Sequence, residues 1–262
     1  MAARILFSSA AFFARPLAET FRLVAEAGFA GAEVMVTRDP ASQDPARIAR
    51  LARAHGLEVG AIHAPCLVVT RTIWGADPVG KIHRAVQVAS DAGVPVVVMH
   101  PPYRWQRGYR GWLEDELPHV EARTGVTVAI ENMFPLRVGR RGVTLHADQD
   151  LDQLEGIPHV VLDTSHAAVA GHDLLEVRRR FAGRLRHVHL SDNLGRGWDN
   201  HLPPGEGVLP LDPFLADLDG YDGAVSLEVD LRRILGEPRR VLRAMTAMRA
   251  RVDAALAASG AR

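Results

Sequence analysis

With a single cysteine, Cys66, in 262 residues, the chain has no internal disulfide framework and suits a reducing compartment. Net charge is missing as well: 31 Lys and Arg balance 31 Asp and Glu, leaving nothing over to coat a polyanion such as nucleic acid. No run approaches the ~18 consecutive apolar residues of a membrane span, which excludes a membrane protein of the helical kind. The opening Met1-Ala-Ala-Arg-Ile-Leu-Phe lacks a basic leader and a cleavage site, so a cytoplasmic location is expected. Low-complexity tracts, fixed-period repeats and Pro/Ser-rich linkers are also missing, and residues 1–262 read as one domain. What is present is an ordinary globular balance, 47% apolar and 24% charged, together with twelve histidines, a generous number for this length.

Short apolar runs alternate with helical patterns from end to end. The runs are Ile5–Ser8, Ala32–Val36, Leu57–His63, Val94–His100, Val126–Glu131, His159–Asp163, Leu185–Leu190 and Ala224–Val229. Several are almost continuously apolar, as parallel strands covered by helices must be. The intervening segments Leu17–Ala27, Pro45–Ala54 and Pro78–Ala92 carry apolar residues at spacings of three and four, and glycines Gly28, Gly56 and Gly93 close them. A last helix is expected over about Pro238–Ala258. Eight strand–helix units in this length predict a single (β/α)8 TIM barrel of the α/β class. An open doubly wound sheet is the alternative. It would place a glycine fingerprint after its first strand, where this chain has Ser8-Ser-Ala-Ala-Phe-Phe.

Chemistry in such a barrel belongs at the carboxyl ends of the strands. Those positions hold His63, His100, Glu131, Asp163 with His166 just beyond, His189, and Glu228, while Asp199 and His201 follow in the loop after the seventh run. Five histidines and four carboxylates thus converge on one end. Neutral imidazole and carboxylate are ligands that suit Zn²⁺ and Mn²⁺, and a divalent cation is an effective partner for several buried acids at once. His187, two residues before His189, shares its face but lies deeper, and reads as a core histidine or one that supports a ligand. The remaining six histidines fall on helices or connections and need only ordinary polar roles.

These stretches resemble the xylose-isomerase-like superfamily of metal-dependent barrels, which includes sugar-phosphate isomerases and epimerases, inosose dehydratases and the endonuclease IV group. The resemblance is carried by Ala61-Ile-His63-Ala-Pro, Val98-Met-His100-Pro, Ala129-Ile-Glu131-Asn, Leu162-Asp163-Thr-Ser-His166, His187-Val-His189-Leu-Ser-Asp-Asn, His201-Leu-Pro-Pro-Gly-Glu-Gly and Ser226-Leu-Glu228. It implies that Glu131, Asp163, His189 and Glu228 form a shared single-metal site, with His166 touching substrate. In the endonuclease IV group the site extends to three zincs, and the added ligands match His63, His100, His166, Asp199 and His201, with Glu131 bridging. All nine residue types are retained here.

Two chemistries follow. Glu131 and Glu228 facing one another across a cation suit proton transfer beside a carbonyl, by way of an enediolate. The expected enzyme is then a divalent-metal-dependent sugar or sugar-phosphate isomerase or epimerase, taking a small sugar or polyol, with Mn²⁺ or Zn²⁺ as cofactor. The alternatives are a multi-zinc AP endonuclease or phosphodiesterase like endonuclease IV, an inosose-dehydratase-like lyase, and a metal-holding barrel without turnover. A nuclease needs basic loops and wedging side chains, and the loop after His63, Ala-Pro-Cys-Leu-Val-Val, has neither. Arginines gather instead in Arg104–Arg110 and Arg137–Arg141, and the aromatic residues Trp74, Tyr103, Trp105, Tyr109, Trp112 and Trp198 are expected on or beside loops at the mouth. Arg104, Trp105, Arg107, His63, His100 and His166 are the candidate substrate contacts. Homo-oligomers are common in the resembling group, so a homo-oligomer is a candidate state.

Overall fold

The computed structural model describes residues 3–67, 70–138, 141–147, 149, 151–195 and 197–258. Eight strands, β1 (Arg4–Ser8), β2 (Gly31–Met35), β3 (Glu58–His63), β4 (Val96–Met99), β5 (Thr127–Glu131), β8 (Val160–Asp163), β9 (Leu185–Leu190) and β10 (Ala224–Leu227), pair in parallel, and β10 closes back onto β1. This is the (β/α)8 barrel that the alternation of runs predicts. The helices α1 (Leu17–Glu26), α2 (Pro45–His55), α3 (Pro78–Ala92), α4 (Arg107–Asp115), α5 (Leu117–Thr124), α6 (Thr164–Ala170), α7 (Leu174–Phe181), α8 (Leu211–Ala216) and α9 (Pro238–Ala257) fill the connections between strands and follow the last one. Gly28, Gly56 and Gly93 take φ of 80°, 66° and 72° just beyond α1, α2 and α3. Proline at the start of α2 and α3 follows Asp44 and Asp77, whose carboxylates accept the first free helix N–H groups. Of the Arg137–Arg141 stretch, expected as loop, Arg137 lies on β6 (Leu136–Val138) and Arg141 on β7 (Arg141–Val143), which pair antiparallel.

Strand side chains alternate between two apolar environments. Val97, Met99, Val128, Ile130, Leu162, Val188, Val225 and Leu227 face outward into the main core against the helices. Ala61, Val96, Val98, Ala129 and Val161 form a separate, smaller cluster inside the barrel. The same alternation carries His63, Glu131 and Asp163 to the interior, one layer nearer the mouth. Among the described residues, no helix is long and apolar enough to cross a membrane.

The barrel interior is tight where β2 meets β3. A Cβ on Gly31 would stand 2.3 Å from the Glu58 carbonyl oxygen and 3.0 Å from Leu6 Cδ2. The first contact is backbone and cannot rotate away. We expect Gly31→Ala to destabilise the fold by about 1–3 kcal/mol through overpacking, measured as a lower melting temperature and chemical-denaturation midpoint; an unchanged midpoint would contradict the packing described.

Candidate metal centre

The mouth is built from strand ends and from two short loops whose backbone is pinned. Asp163 ends β8 and caps α6, its Oδ1 accepting the His166 N–H at 2.7 Å. Its own N–H goes to Asn132 Oδ1 at 2.7 Å, and the Asn132 amide returns a bond to the Asp163 carbonyl at 3.1 Å. The Asp-x-x-His spacing is therefore one turn of capped helix that brings both side chains to one place. The second loop is organised by buried Asp192, which accepts the N–H groups of Gly205 and Leu209 at 2.9 and 3.0 Å. A Cβ on Gly207 would lie 2.3 Å from Asp192 Oδ1, so the glycine of the His-x-Pro-Pro-Gly-Glu-Gly stretch is sterically required. That loop delivers His201, held at φ 43°.

Glu131 is the hub. Its Oε1 lies 3.1 Å from His166 Nδ1 and 3.2 Å from His189 Nδ1. Its Oε2 lies 3.4 Å from His63 Nε2 and 3.3 Å from His100 Nε2. His189 Nδ1 also meets Glu228 Oε2 at 3.0 Å and Asp163 Oδ2 at 3.8 Å. Asp199 Oδ2 sits between His201 Nε2 at 2.7 Å and His166 Nε2 at 3.2 Å, and its Oδ1 accepts the Ser165 hydroxyl at 2.6 Å. The structure thus brings together all nine residues read as ligand candidates.

Burial should protonate these acids, and neighbouring imidazoles decide which resist. Burial raises the Glu131 carboxyl, but His189, His100 and His166 outweigh it and hold the group well below the ordinary range. Burial likewise opposes ionisation of Glu228, and His189 overcomes it. Asp163, where burial is stronger than the pull of His166 and His201, is pushed up to about 6. Burial disfavours the His189 cation, yet Glu33, Glu228 and Glu131 raise its pKa well above normal. His201 rises to about 10 against burial, because Asp163 and Asp199 face it. Burial drives His100 well down.

The donor set fits a divalent cation. Glu131 Oε2, Asp163 Oδ2 and Glu228 Oε2 are all buried without a hydrogen-bond partner, a costly state for carboxylate oxygens unless a cation joins them. Asp163, His189 and Glu228 can place ligand atoms within 4.8 Å of one another, as can His63, Glu131 and His189, and Asp163, His166 and His201.

One residue of this centre lies outside the strand-end reading. Glu33, in the middle of β2, is fully buried and accepts from His187 Nε2 at 2.6 Å and from His189 Nε2 at 2.8 Å. The strand-end rule passes over it, because Glu33 lies two residues short of the end of β2. The signal was its parity: it stands two residues before the end of its strand, as His187 stands two before His189.

The substrate candidates divide. His63 and His100 line a cavity of about 730 Å³, walled by Phe13, Met35, Val36, Cys66 and Ile73 and edged by Arg38. Burial lifts the Cys66 thiol to about 12 despite nearby Lys81, so it is no ready nucleophile. Arg104 and Trp105 lie outside that lining, and both are exposed, Trp105 stacking on Tyr103 at 4.7 Å. Arg107 opens α4, and its side chain lies outside the described residues, as do those of Arg137 and Arg141 and the whole of Arg140. Trp198 is 76% exposed beside Asp199. Tyr109 and Trp112 depart from the mouth-loop expectation: they are buried on α4 and pack into the core, with the Trp112 indole N–H donating to His83 Nε2 at 3.1 Å.

Residues 21–251 match the model of the xylose isomerase-like TIM barrel family. The chain belongs to that family. An uncharacterized protein of Mycobacterium leprae is 35% identical over 261 residues, covering 90% of this chain and 92% of the relative. Among solved structures, this family member resembles an L-ribulose 3-epimerase with a TM-score of 0.72 at 21% identity, covering 98% of this chain and 95% of the other. It also resembles the IOLI protein with a bound zinc atom, with a TM-score of 0.70 at 15% identity over 95% and 97% of the two chains. At those identities the likeness is one of fold.

Cation binding to this cluster should appear as added stability. With Zn²⁺ at about 100 times its dissociation constant, unfolding should cost about 2.7 kcal/mol more than without it, measured by thermal melts across a zinc titration. Asp163→Asn should remove most of the gain. A wild-type melting temperature insensitive to Zn²⁺ and Mn²⁺ would contradict the fit.

Proposed function

We propose that this barrel is a divalent-metal-dependent isomerase or epimerase of a small sugar or sugar phosphate, working by proton transfer beside a carbonyl. The observation that carries the reading is the convergence of Glu131, Asp163, His189 and Glu228, with three unpartnered carboxylate oxygens, beside a cavity of small-molecule size. Its volume of about 730 Å³ lies within the range of ordinary small-molecule sites. Mn²⁺ or Zn²⁺ would be held by those four side chains and would supply Lewis-acid polarisation of the substrate carbonyl. Glu228 is the accessible partner of the pair: its side chain is 15% exposed against 2% for Glu131. In this reading the Glu228 carboxylate removes the proton from the carbon beside the carbonyl and keeps it. Glu131, taking a proton from the imidazole of His166 3.1 Å away, delivers it to the other face. His63 and His100 line the cavity and orient substrate hydroxyls, and His166 holds a hydroxyl near the reacting carbon. Arg104 and Trp105 follow β4 and would meet the outer end of a longer substrate.

A multi-zinc phosphodiesterase is the second reading, and specific observations favour it. His166 and His201 each direct Nε2 at Asp199 while Nδ1 donates to a backbone carbonyl, of Asn132 at 2.9 Å and of Glu228 at 3.0 Å. His63 is arranged alike, with Nε2 toward Glu131 and Nδ1 at 3.3 Å from the Ala64 carbonyl. Outer contacts of this kind orient histidine ligands. The two readings separate on three measurements. The isomerase reading expects one tightly held ion per chain, solvent deuterium in the product of a sugar turnover, and a kcat lowered about 10²–10⁴-fold by Glu228→Gln. Three tightly held zincs, with metal-dependent nicking of abasic duplex DNA at low enzyme concentration, would overturn it in favour of the phosphodiesterase.

A further inference from the structure

Glu33 takes no part in the chemistry above, yet it is the most fully committed carboxylate at the mouth. Its Oε2 accepts the ring N–H of His187 at 2.6 Å and of His189 at 2.8 Å, and its Oε1 accepts the Ser8 hydroxyl at 2.8 Å. All four residues are fully buried. An ionised carboxylate can only accept, so a ring nitrogen this close to it must carry the proton. For His189 that holds at Nε2, toward Glu33, and at Nδ1, which faces Glu228 at 3.0 Å, Glu131 at 3.2 Å and Asp163 at 3.8 Å. A cation among those three acids would take the place of the Nδ1 proton, while Glu33 keeps the one on Nε2.

The other histidines of the mouth are held differently. The outward nitrogens of His63, His166 and His201 meet the carbonyls of Ala64, Asn132 and Glu228. The outward Nδ1 of His100 is buried without a partner. Among the described residues, His189 is therefore the one candidate ligand of this group backed by an acid from outside the nine candidates; His166 Nδ1 also meets Glu131 at 3.1 Å, but Glu131 is itself a candidate ligand. A carboxylate behind an imidazole fixes its tautomer and raises its basicity as a ligand more than a neutral carbonyl does. His187, its ring nearly perpendicular to that of His189 at 5.2 Å between centroids, braces Glu33 from below.

We propose that Glu33 is a positioning residue: it locks His189 with its proton on Nε2 and its Nδ1 lone pair toward the cation, making the Glu131/Asp163/His189/Glu228 position the tightest divalent site of the mouth. The proposal rests on the metal reading of that mouth and adds a ranking within it, since the flanking groups around His63 with His100 and around Asp199 lack a charged support.

Zn²⁺ affinity, measured by competition with a chromophoric chelator on the full chain and on Glu33→Gln, tests the ranking. The glutamine keeps the size of the side chain, but its NH₂ can turn toward a ring and allow the other tautomer. The tightest zinc site should weaken about 10–100-fold, with native near-ultraviolet circular dichroism retained. A melting temperature lowered without any change in zinc affinity would reduce Glu33 to a structural role and overturn the proposal. A second measurement needs no variant. Histidine ¹⁵N spectra of the zinc-loaded wild type should show His189 protonated at Nε2 and metal-bound at Nδ1; the opposite tautomer overturns the proposal even if Glu33→Gln fails to fold. Wild-type protein that binds no zinc would overturn the metal reading itself, whereas tight wild-type binding that Glu33→Gln leaves unchanged would overturn only the role of Glu33.

Discussion

Glu33, Glu131 and Asp163 are held inside a closed barrel where their exposure is at most 1%, and the need to neutralise that charge organises everything around the mouth. A buried carboxylate is tolerable only with donors or a cation beside it. Glu33 is fully supplied by protein donors. Glu131 and Asp163 each keep one buried oxygen that completes no well-formed hydrogen bond, as does Glu228 at the rim, although imidazole nitrogens stand near them. The two states stand one layer apart along the barrel axis, and His189 joins them, with Nε2 toward the satisfied acid and Nδ1 toward the unsatisfied ones. In the proposed function the unsatisfied layer is the reactive one, and its demand for positive charge is what the proposed cation meets.

In the layer beneath, Glu33 and His187 stand in register with Ala61 and Val161, and the β3–β8 side of that layer is small and apolar. Ala61, Ala129, Val96, Val98 and Val161 fill the interior below the polar layer, so water has little room to relieve the acids from behind. Precision at the rim comes from backbone anchors. The Asp163 cap fixes His166, the Asn132 amide ties β5 to β8, and Asp192 shapes the loop that carries His201. Pinned in this way, ligand geometry rests on rigid elements and not on mobile side chains.

Much of this was legible from residue order. The eight apolar runs map onto the eight barrel strands because parallel strands covered on both faces cannot alternate polar and apolar residues. The ligand candidates were legible because strand-end positions share one end of a barrel. Glu33 was missed for a physical reason: Ala32–Val36 reads as one strand with an acid inside it, and only pairing with β1 and β3 reveals that this acid faces His187 and His189 from across the barrel. The pairing of β6 with β7 was hidden because three-residue strands carry almost no periodic signal. Tyr109 and Trp112, expected on or beside loops at the mouth, lie on α4 with both rings in the core.

The most direct test of the account is anomalous diffraction at the zinc edge from crystals grown with Zn²⁺. The strongest peak should lie about 2.0–2.2 Å from carboxylate oxygens of Glu131, Asp163 and Glu228 and from Nδ1 of His189. The absence of any peak among these four side chains, or an ion bound through His189 Nε2 beside Glu33, would contradict it.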